Sequence, residues 1–370
     1  MKTNIKRIIN KWKALIFEGL PLKVRIYLKY AYFSVKAAPK LIRFSASNFS
    51  RIRLLGHKIS LEASTICQLK CPICPTGQGL NKNTSIGRGY LKFSNFKKFI
   101  FDNPKIKMIE LSNWGEIFLN PELKKIIQFA YLRNISLTVR NGANLNTVTE
   151  EVLKYLVKYR VKHLNISIDG ATNAIYKTYR QGGDLHKVLK NVKIINQYKR
   201  KYNTKFPILY WQFIVMGHNE KELTIAKELS QKLGMTFHIK LNRKPSLSPI
   251  QDENLVRQQG GLGVAYRDEY IKLYREPYSP SCYKFWTIPQ INWDGKLLGC
   301  GCNIWCDFGN VFETSLDHCL NSERYIHIKR VLLGEEIVNK KDPCYRCPKY
   351  IDVQRIKLKK RNIILNYIAL

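Results

Sequence analysis

At 370 residues the chain is long enough for one large core and a smaller domain. Hydrophobic residues make up 45% and charged residues 24%, the balance of a folded globular protein, and no run of about eighteen apolar residues marks a membrane span. The net charge of +36 invites an anionic partner, but Lys is spread along most of the chain together with Ile, Asn and Tyr, and no zinc-finger or RNA-recognition spacing accompanies it, so the charge is not read as nucleic-acid binding.

Residues 1–55 carry thirteen Lys or Arg against one acid, Glu18. Ile8, Ile9, Trp12, Leu15 and Ile16 recur at roughly helical spacing before a break at Gly19 and Pro21. This predicts a basic amphipathic helical extension that docks on the rest of the protein or lies on an anionic membrane. No compact apolar core with a small-residue cleavage site follows the N-terminus, so a secretory leader is not expected.

From residue 58 the pattern alternates. β-rich runs at 58–65, 108–113, 135–140, 163–168, 208–216 and 236–242 are separated by helical patterns at about 93–102, 121–132, 149–158, 184–199 and 220–233. Asn120-Pro121-Glu122 predicts a helix start with Asn as cap and Pro in the first helical position. The fold class is α/β, a parallel sheet covered on its outer face by helices; a partial barrel and an open doubly wound sheet both satisfy the pattern. Residues 244–281, with Pro245, Pro249, Pro277, Pro280 and the Gly260-Gly261-Leu262-Gly263 run, read as an irregular linker or lid. Residues 282–350 form a small cysteine-rich domain and 351–370 a basic, apolar tail.

Ten cysteines fall into an early three and a late seven, with nothing between Cys74 and Cys282. Disulfide frameworks rarely look like this, and metal or cluster sites often do. In Cys67-Gln-Leu-Lys-Cys71-Pro-Ile-Cys74, three close thiolates suit a soft metal or an iron–sulfur cluster. Three ligands on a four-iron cluster leave one iron open to chemistry. Zinc and buried unreactive cysteines remain alternatives on spacing alone, although His57, the nearest fourth ligand for zinc, precedes the strand.

Cys-x3-Cys-x2-Cys after a first β-strand resembles the signature of the radical S-adenosylmethionine superfamily, and the similarity runs over residues 58–243. The resemblance implies a partial (β/α)6 barrel at residues 56–243 and a [4Fe–4S] cluster on Cys67, Cys71 and Cys74 that binds S-adenosylmethionine. Ser112-Asn113-Trp114-Gly115-Glu116-Ile117 resembles the family's Gly-Gly-Glu-Pro, keeping Gly115 and Glu116, which implies contact with the methionine amino group. Arg140-Asn141-Gly142 resembles Thr-Asn-Gly, and Ser167-Ile168-Asp169-Gly170 resembles Ser-x-Asp-Gly, where relatives hold the ribose or methionine end. Arg180 matches an arginine that pairs with the cofactor carboxylate in relatives; Asn219 and Ile73 are further positions of interest. Taken singly, Asn141-Gly142 and Asp169-Gly170 also read as turns, and Arg180 as a surface ion pair.

Cys282, Cys300 five residues after Gly295, and the Cys344/Cys347 pair resemble the Twitch form of the SPASM extension. That implies one auxiliary [4Fe–4S] cluster on Cys282, Cys300, Cys344 and Cys347. Cys302, Cys306 and Cys319 are spare, with Cys302 or Cys306 close enough in sequence to replace a ligand. The Cys-x2-Cys spacing alone equally suits zinc.

The family's chemistry is reductive cleavage of S-adenosylmethionine to a 5′-deoxyadenosyl radical that abstracts hydrogen from a substrate, with electrons from a donor such as flavodoxin or ferredoxin. Relatives with this auxiliary domain oxidise or epimerise sugars or modify peptides. A helical N-terminal extension turns the reading toward a small-molecule, sugar-like substrate, or a lipid-linked sugar if residues 1–55 make peripheral membrane contact. Peptide or RNA modification competes with this within the family. A non-catalytic protein that binds zinc or nucleic acid competes from another class. The expected location is cytoplasmic, with peripheral contact on the inner membrane surface as the variant. No residue type or spacing singles out a catalytic acid or base.

Overall fold

Alternation of apolar and polar residues along six short runs builds the central sheet. β1 (Lys58–Leu61), β2 (Met108–Glu110), β3 (Ser136–Ala143), β4 (His163–Ser167), β5 (Ile208–Val215) and β6 (Thr236–Leu241) pair in parallel, each with the next in sequence. The computed structural model describes residues 58–275, 278, 279 and 281–356. The extension 1–55 and the part of the basic tail beyond residue 356 lie outside the described residues.

Successive strand side chains point to opposite faces. Ile59, Leu61, Ile109, Leu137, Val139, Leu164, Ile166, Leu209, Trp211, Phe213 and Ile239 are all buried and share one face. Ser60, Glu110, Thr138, Arg140, Asn165, Ser167, Gln212, His238 and Lys240 fall on the other. Helices cover the apolar face. α1 (Phe93–Asp102), α2 (Leu123–Leu132), α3 (Glu150–Lys158), α4 (Asn173–Tyr179), α5 (Leu185–Lys201) and α6 (Leu223–Lys232) follow the strands. Each longer helix buries a stripe at helical spacing, such as Leu123, Ile126, Ile127 and Ala130 of α2. Strand order runs through β1 to β6 without the reversal of a doubly wound sheet, and the sheet is not closed. The architecture is a partial barrel.

Two further strands were invisible in the sequence because they are two and three residues long. β7 (Gln290–Ile291) pairs in parallel with β1, and β8 (Leu297–Gly299) runs antiparallel to β7. The cysteine-rich segment thus extends the barrel's own sheet. It also carries α9 (Lys284–Thr287), α10 (Leu316–Asn321), α11 (Glu323–Leu333) and α12 (Pro348–Ile356).

Two expectations need correction. Residues 244–281 are not irregular throughout: α7 (Glu253–Gln259), capped by Asp252, and α8 (Arg267–Tyr274) lie between the prolines, and the glycine run separates them. The second helix of the barrel begins at Leu123, not Pro121. Asn120 Oδ1 does accept from the Glu122 N–H at 2.8 Å. Its amide, however, donates to the carbonyls of Ala63 and Leu91, fixing Asn120 in the β1–α1 connection and leaving residues 121–122 as a turn. Among the described residues no helix is long and apolar enough to cross a membrane.

Trp211 is fully buried on the helix-covered face, with its indole N–H on the Ile168 carbonyl at 2.9 Å. Trp211→Ala should lower the stability of the protein by about 3–5 kcal/mol, read from the urea midpoint. Leu132→Ala, at a side chain 66% exposed, should change it by less than about 0.5 kcal/mol. Equal losses at both positions would contradict this assignment of the core.

Candidate functional site

The loop between β1 and α1 carries the early cysteines. Cys71 is buried and Cys67 and Cys74 half-buried, packed around Leu69, Tyr179 and Met216. The loop is held by its own backbone: Cys74 N–H donates to the Cys71 carbonyl at 3.1 Å, and the Gln78 amide to the carbonyls of Lys70 and Cys71. Burial pushes the Cys67 thiol up to about 12 and raises Cys71 as well. Thiolates here therefore require a compensating cation. Arg180 supplies one, its Nη1 lying 3.8 Å from Cys71 Sγ. Among the described residues no three His, Cys, Asp or Glu side chains are grouped as for a single metal ion.

The carboxyl ends of the strands form the wall beside this loop. Glu62, just past β1, accepts the backbone N–H groups of Asn113, Trp114 and Gly115 at 3.2, 3.0 and 3.3 Å. Burial still raises its carboxyl to about 8, against the opposing pull of those three bonds. Gly115 passes so close to the cysteine loop that a Cβ would sit 2.3 Å from the Ser64 carbonyl oxygen. Glu116 N–H donates to the Ile66 carbonyl at 2.8 Å. The Glu116 carboxylate is buried and accepts from Phe118 N–H at 3.2 Å and Asn144 N–H at 2.6 Å; burial lifts its pKa to about 7. Both carboxylate oxygens already hold backbone, so Glu116 clasps the β2 loop to the β3 loop.

Asn144 was not foreseen from the sequence. Its side chain accepts from Gln68 at 2.8 Å and donates toward Cys67 Sγ at 3.9 Å, tying the β3 loop to the cysteine loop. The polar run after the apolar stretch of β3 was its available signal.

Asn141 and Ser167 meet through Gln212. The Gln212 amide donates to Ser167 Oγ at 3.3 Å and to the Asn141 carbonyl at 3.4 Å, and Asn141 N–H donates to Ser112 Oγ. A shift in β3–β4 register between Val139 and Ala143 bulges this stretch. Gly142 has φ +118 there, and a Cβ would lie 2.4 Å from Ser167 Oγ. Asp169 is fully buried; it accepts Ile214 N–H at 2.6 Å and Arg180 Nε at 2.6 Å. Asn219 donates to the Asp169 and Ile214 carbonyls, a bracing role. Asp169 thereby aims Arg180 at Cys71. Two buried polar atoms lack partners in this wall, the Gln212 Oε1 acceptor beside Ser167 and the Trp114 Nε1 donor beside Gly115. Three soft thiolates, a nearby guanidinium and these two unmet groups fit a cluster carrying a polar cofactor.

The late cysteines separate. Cys282, Cys300, Cys302, Cys344 and Cys347 line one small cavity, walled also by Phe285, Trp305 and Leu332. Cys302 thus joins the four expected residues. Cys306 contacts the Asn303 amide at 3.9 Å, and Cys319 packs in α10 against Thr314 Oγ1 at 3.4 Å. His327 anchors the approach to Cys344. Its Nε2 is 2.9 Å from Asp342 and its Nδ1 bonds Glu336, which also holds Arg330 at 2.8 Å. Burial alone would lower the His327 pKa; the Asp342 and Glu336 carboxylates outweigh it and hold the ring above its ordinary value.

Gly115→Ala forces a side chain against backbone, so iron retained on the early cysteines should fall several-fold relative to wild type, measured by metal analysis after anaerobic reconstitution; full retention would exclude this close approach. The raised His327 pKa makes the clasp strongest below the unfolded value of about 6.5. Its contribution is lost as pH rises through the higher folded value. Hydrogen exchange in residues 334–342, corrected for the intrinsic rate, should accelerate over that window in wild type and show no such step in His327→Gln.

The radical SAM superfamily model matches residues 61–229, and the model of the SPASM iron–sulfur cluster-binding domain matches residues 282–348. GTP 3′,8-cyclase of Clostridium botulinum (strain Hall) is 22% identical over 291 residues, covering 74% of this chain and 85% of that protein. Among solved structures, Streptococcus suis SuiB bound to S-adenosylmethionine superposes with TM-score 0.58 at 12% identity, over 91% of this chain and 86% of that one. Native anSMEcpe with bound AdoMet gives TM-score 0.52 at 13% identity, over 84% and 96%. The two domain matches bring a [4Fe–4S] cluster with S-adenosylmethionine and an auxiliary iron–sulfur cluster. The chain belongs to the radical SAM superfamily and is an enzyme with a SPASM iron–sulfur domain.

Proposed function

We propose that this enzyme abstracts hydrogen from a small, sugar-like substrate, free or lipid-linked, and oxidises or epimerises it. The observation that carries the reading is the polar inner face of the sheet. Thr138, Asn165, Ser167, Gln212 and His238 lie along its width; Gln212 Oε1 is left without a partner and His238 is exposed, polar groups that suit a hydroxyl-rich molecule.

In this reading residues 56–243 are the barrel and 282–350 the auxiliary domain. Cys67, Cys71 and Cys74 hold the first cluster, and Cys282, Cys300, Cys344 and Cys347 the second, with Cys302 at hand in the same cavity. When bound, the cluster and S-adenosylmethionine together supply the radical that starts the reaction. The protein's own residues do the rest. Gly115, Asn141 and Ser167 shape the cofactor wall, while Gln212 Oε1 offers an unmet acceptor to a ribose hydroxyl. Glu116 and Asp169 act as positioning residues, one fixing the loops and the other turning Arg180 toward Cys71. Leu69, Tyr179 and Met216 pack around the cysteine loop and limit water there. An electron donor such as flavodoxin or ferredoxin completes the requirement.

Anaerobically reconstituted protein should hold about eight irons, and Cys71→Ala about four. With dithionite, the wild type should release 5′-deoxyadenosine from S-adenosylmethionine, and Cys71→Ala should not. A screen of deuterated sugars and lipid-linked sugars should place deuterium in the released 5′-deoxyadenosine. A wild type with about four irons plus bound zinc would remove the auxiliary cluster; deuterium transfer from no sugar would remove the substrate class.

A further inference from the structure

The cofactor wall uses β1 to β5 and leaves Lys240, on the inner face of β6, unassigned. That face carries one cation, Lys240, beside a neutral imidazole. Phe237, Ile239 and Leu241 turn outward, the first in ring contact with Trp211 and Phe213, so His238 and Lys240 face inward. His238 is accessible to solvent, yet surrounding protein pulls its pKa down to about 4. Lys240 is half-buried, and burial brings it down to about 8.

Two arginines close the rim above. Arg267 is fixed by Nε and Nη2 on the Leu241 carbonyl at 3.0 and 2.7 Å and lies 4.8 Å from the Tyr278 ring centroid. Arg243 donates Nη2 to the Ile73 carbonyl at 2.9 Å, beside Cys74. Arg267 feels Arg243 as a like charge, and Lys240 feels both Arg267 and Arg180.

Among the described residues, the acids that act on Lys240 are Asp169 and Glu110, and both already hold other donors. Asp169 holds Arg180 and the Ile214 N–H. Glu110 accepts from Ser112, Thr138 and the Arg140 N–H. Cys302 and Asp352 act on Arg267 from the cysteine-rich side. Like charges gathered in a partly desolvated recess cost free energy unless an anion joins them.

We infer that Lys240, Arg243 and Arg267 bind a phosphate ester or diphosphate of the substrate at the β6 edge of the inner face, between the Cys67–Cys74 loop and the auxiliary cysteines. Several convergent cationic donors suit the multiple oxygens of a phosphate. This inference rests on the proposed radical reaction and narrows its substrate to a phosphorylated molecule. A sugar phosphate and a nucleotide share the recognised group.

The test is calorimetric titration of the reconstituted holoenzyme, saturated with S-adenosylmethionine, with inorganic pyrophosphate, glucose 1-phosphate and a nucleoside diphosphate in turn. Saturable binding is expected, weakened about tenfold or more in Lys240→Met and in Arg243→Met. Iron content and thermal midpoint check that each variant folds and keeps the cysteine loop, which Arg243 bonds at the Ile73 carbonyl. Whichever organic phosphate binds more tightly identifies the source. Absence of saturable binding for all three, or unchanged affinity in both variants, overturns the inference. Release of 5′-deoxyadenosine by the wild type is followed in the same preparations. If it persists while phosphate binding fails, the anion site alone is wrong; if it is absent, the radical reading itself has failed.

Discussion

A carboxylate taken out of water must find donors, and this barrel answers each buried one with backbone N–H groups from a neighbouring strand or its loop. Glu62 after β1 takes three N–H groups of the β2 loop. Glu110 on β2 takes the N–H of Arg140 on β3, Glu116 that of Asn144 beyond β3, and Asp169 after β4 that of Ile214 on β5. Each bond crosses from one strand end to the next. The carboxyl groups thereby lock β1 to β3 and β4 to β5, the Asn165 amide on the Arg140 carbonyl joins the two sets, and none of these loops can shift without stranding a buried polar group. The cysteine loop joins this chain of contacts through Asn144 and Arg180.

The same interactions explain what the sequence made legible. The six strands and five of the helices showed because each buries a periodic apolar face, and that period survives in one dimension. α4 did not, because at seven residues it is too short for a pattern to accumulate. β7 and β8 were hidden for the same reason, and their pairing with β1 spans more than two hundred residues of chain. Cys67, Cys71 and Cys74 stood out by their spacing, which alone left zinc and unreactive cysteines open beside a cluster. The partners of Glu116, Asp169 and Arg180 were not legible, since a side chain's bonds depend on which loops the topology brings together. Asn144 and Gln212 look like ordinary polar residues until the β3 and β5 ends are seen side by side.

The two cysteine regions differ in how their charge is met. The early loop has a guanidinium directed at one sulfur by a buried carboxylate. The later cavity surrounds five sulfurs largely with aromatic and aliphatic walls. What meets a thiolate there is Lys349 together with backbone N–H groups of Cys302, Asn303, Lys349 and Tyr350.

The β1–β7 pairing has a consequence for how the molecule is made. β1 emerges from the ribosome early and gains β2 on one flank soon after, but its other flank waits for residues 290 and 291. Through most of synthesis the strand that leads into Cys67 therefore has one open edge, with the hydrogen bonds from Ser60 and Glu62 N–H to Pro289 and Ile291 still unmade. The first cysteine loop gains its final support only when the start of the cysteine-rich segment arrives, so the order of assembly runs against the order of the chain.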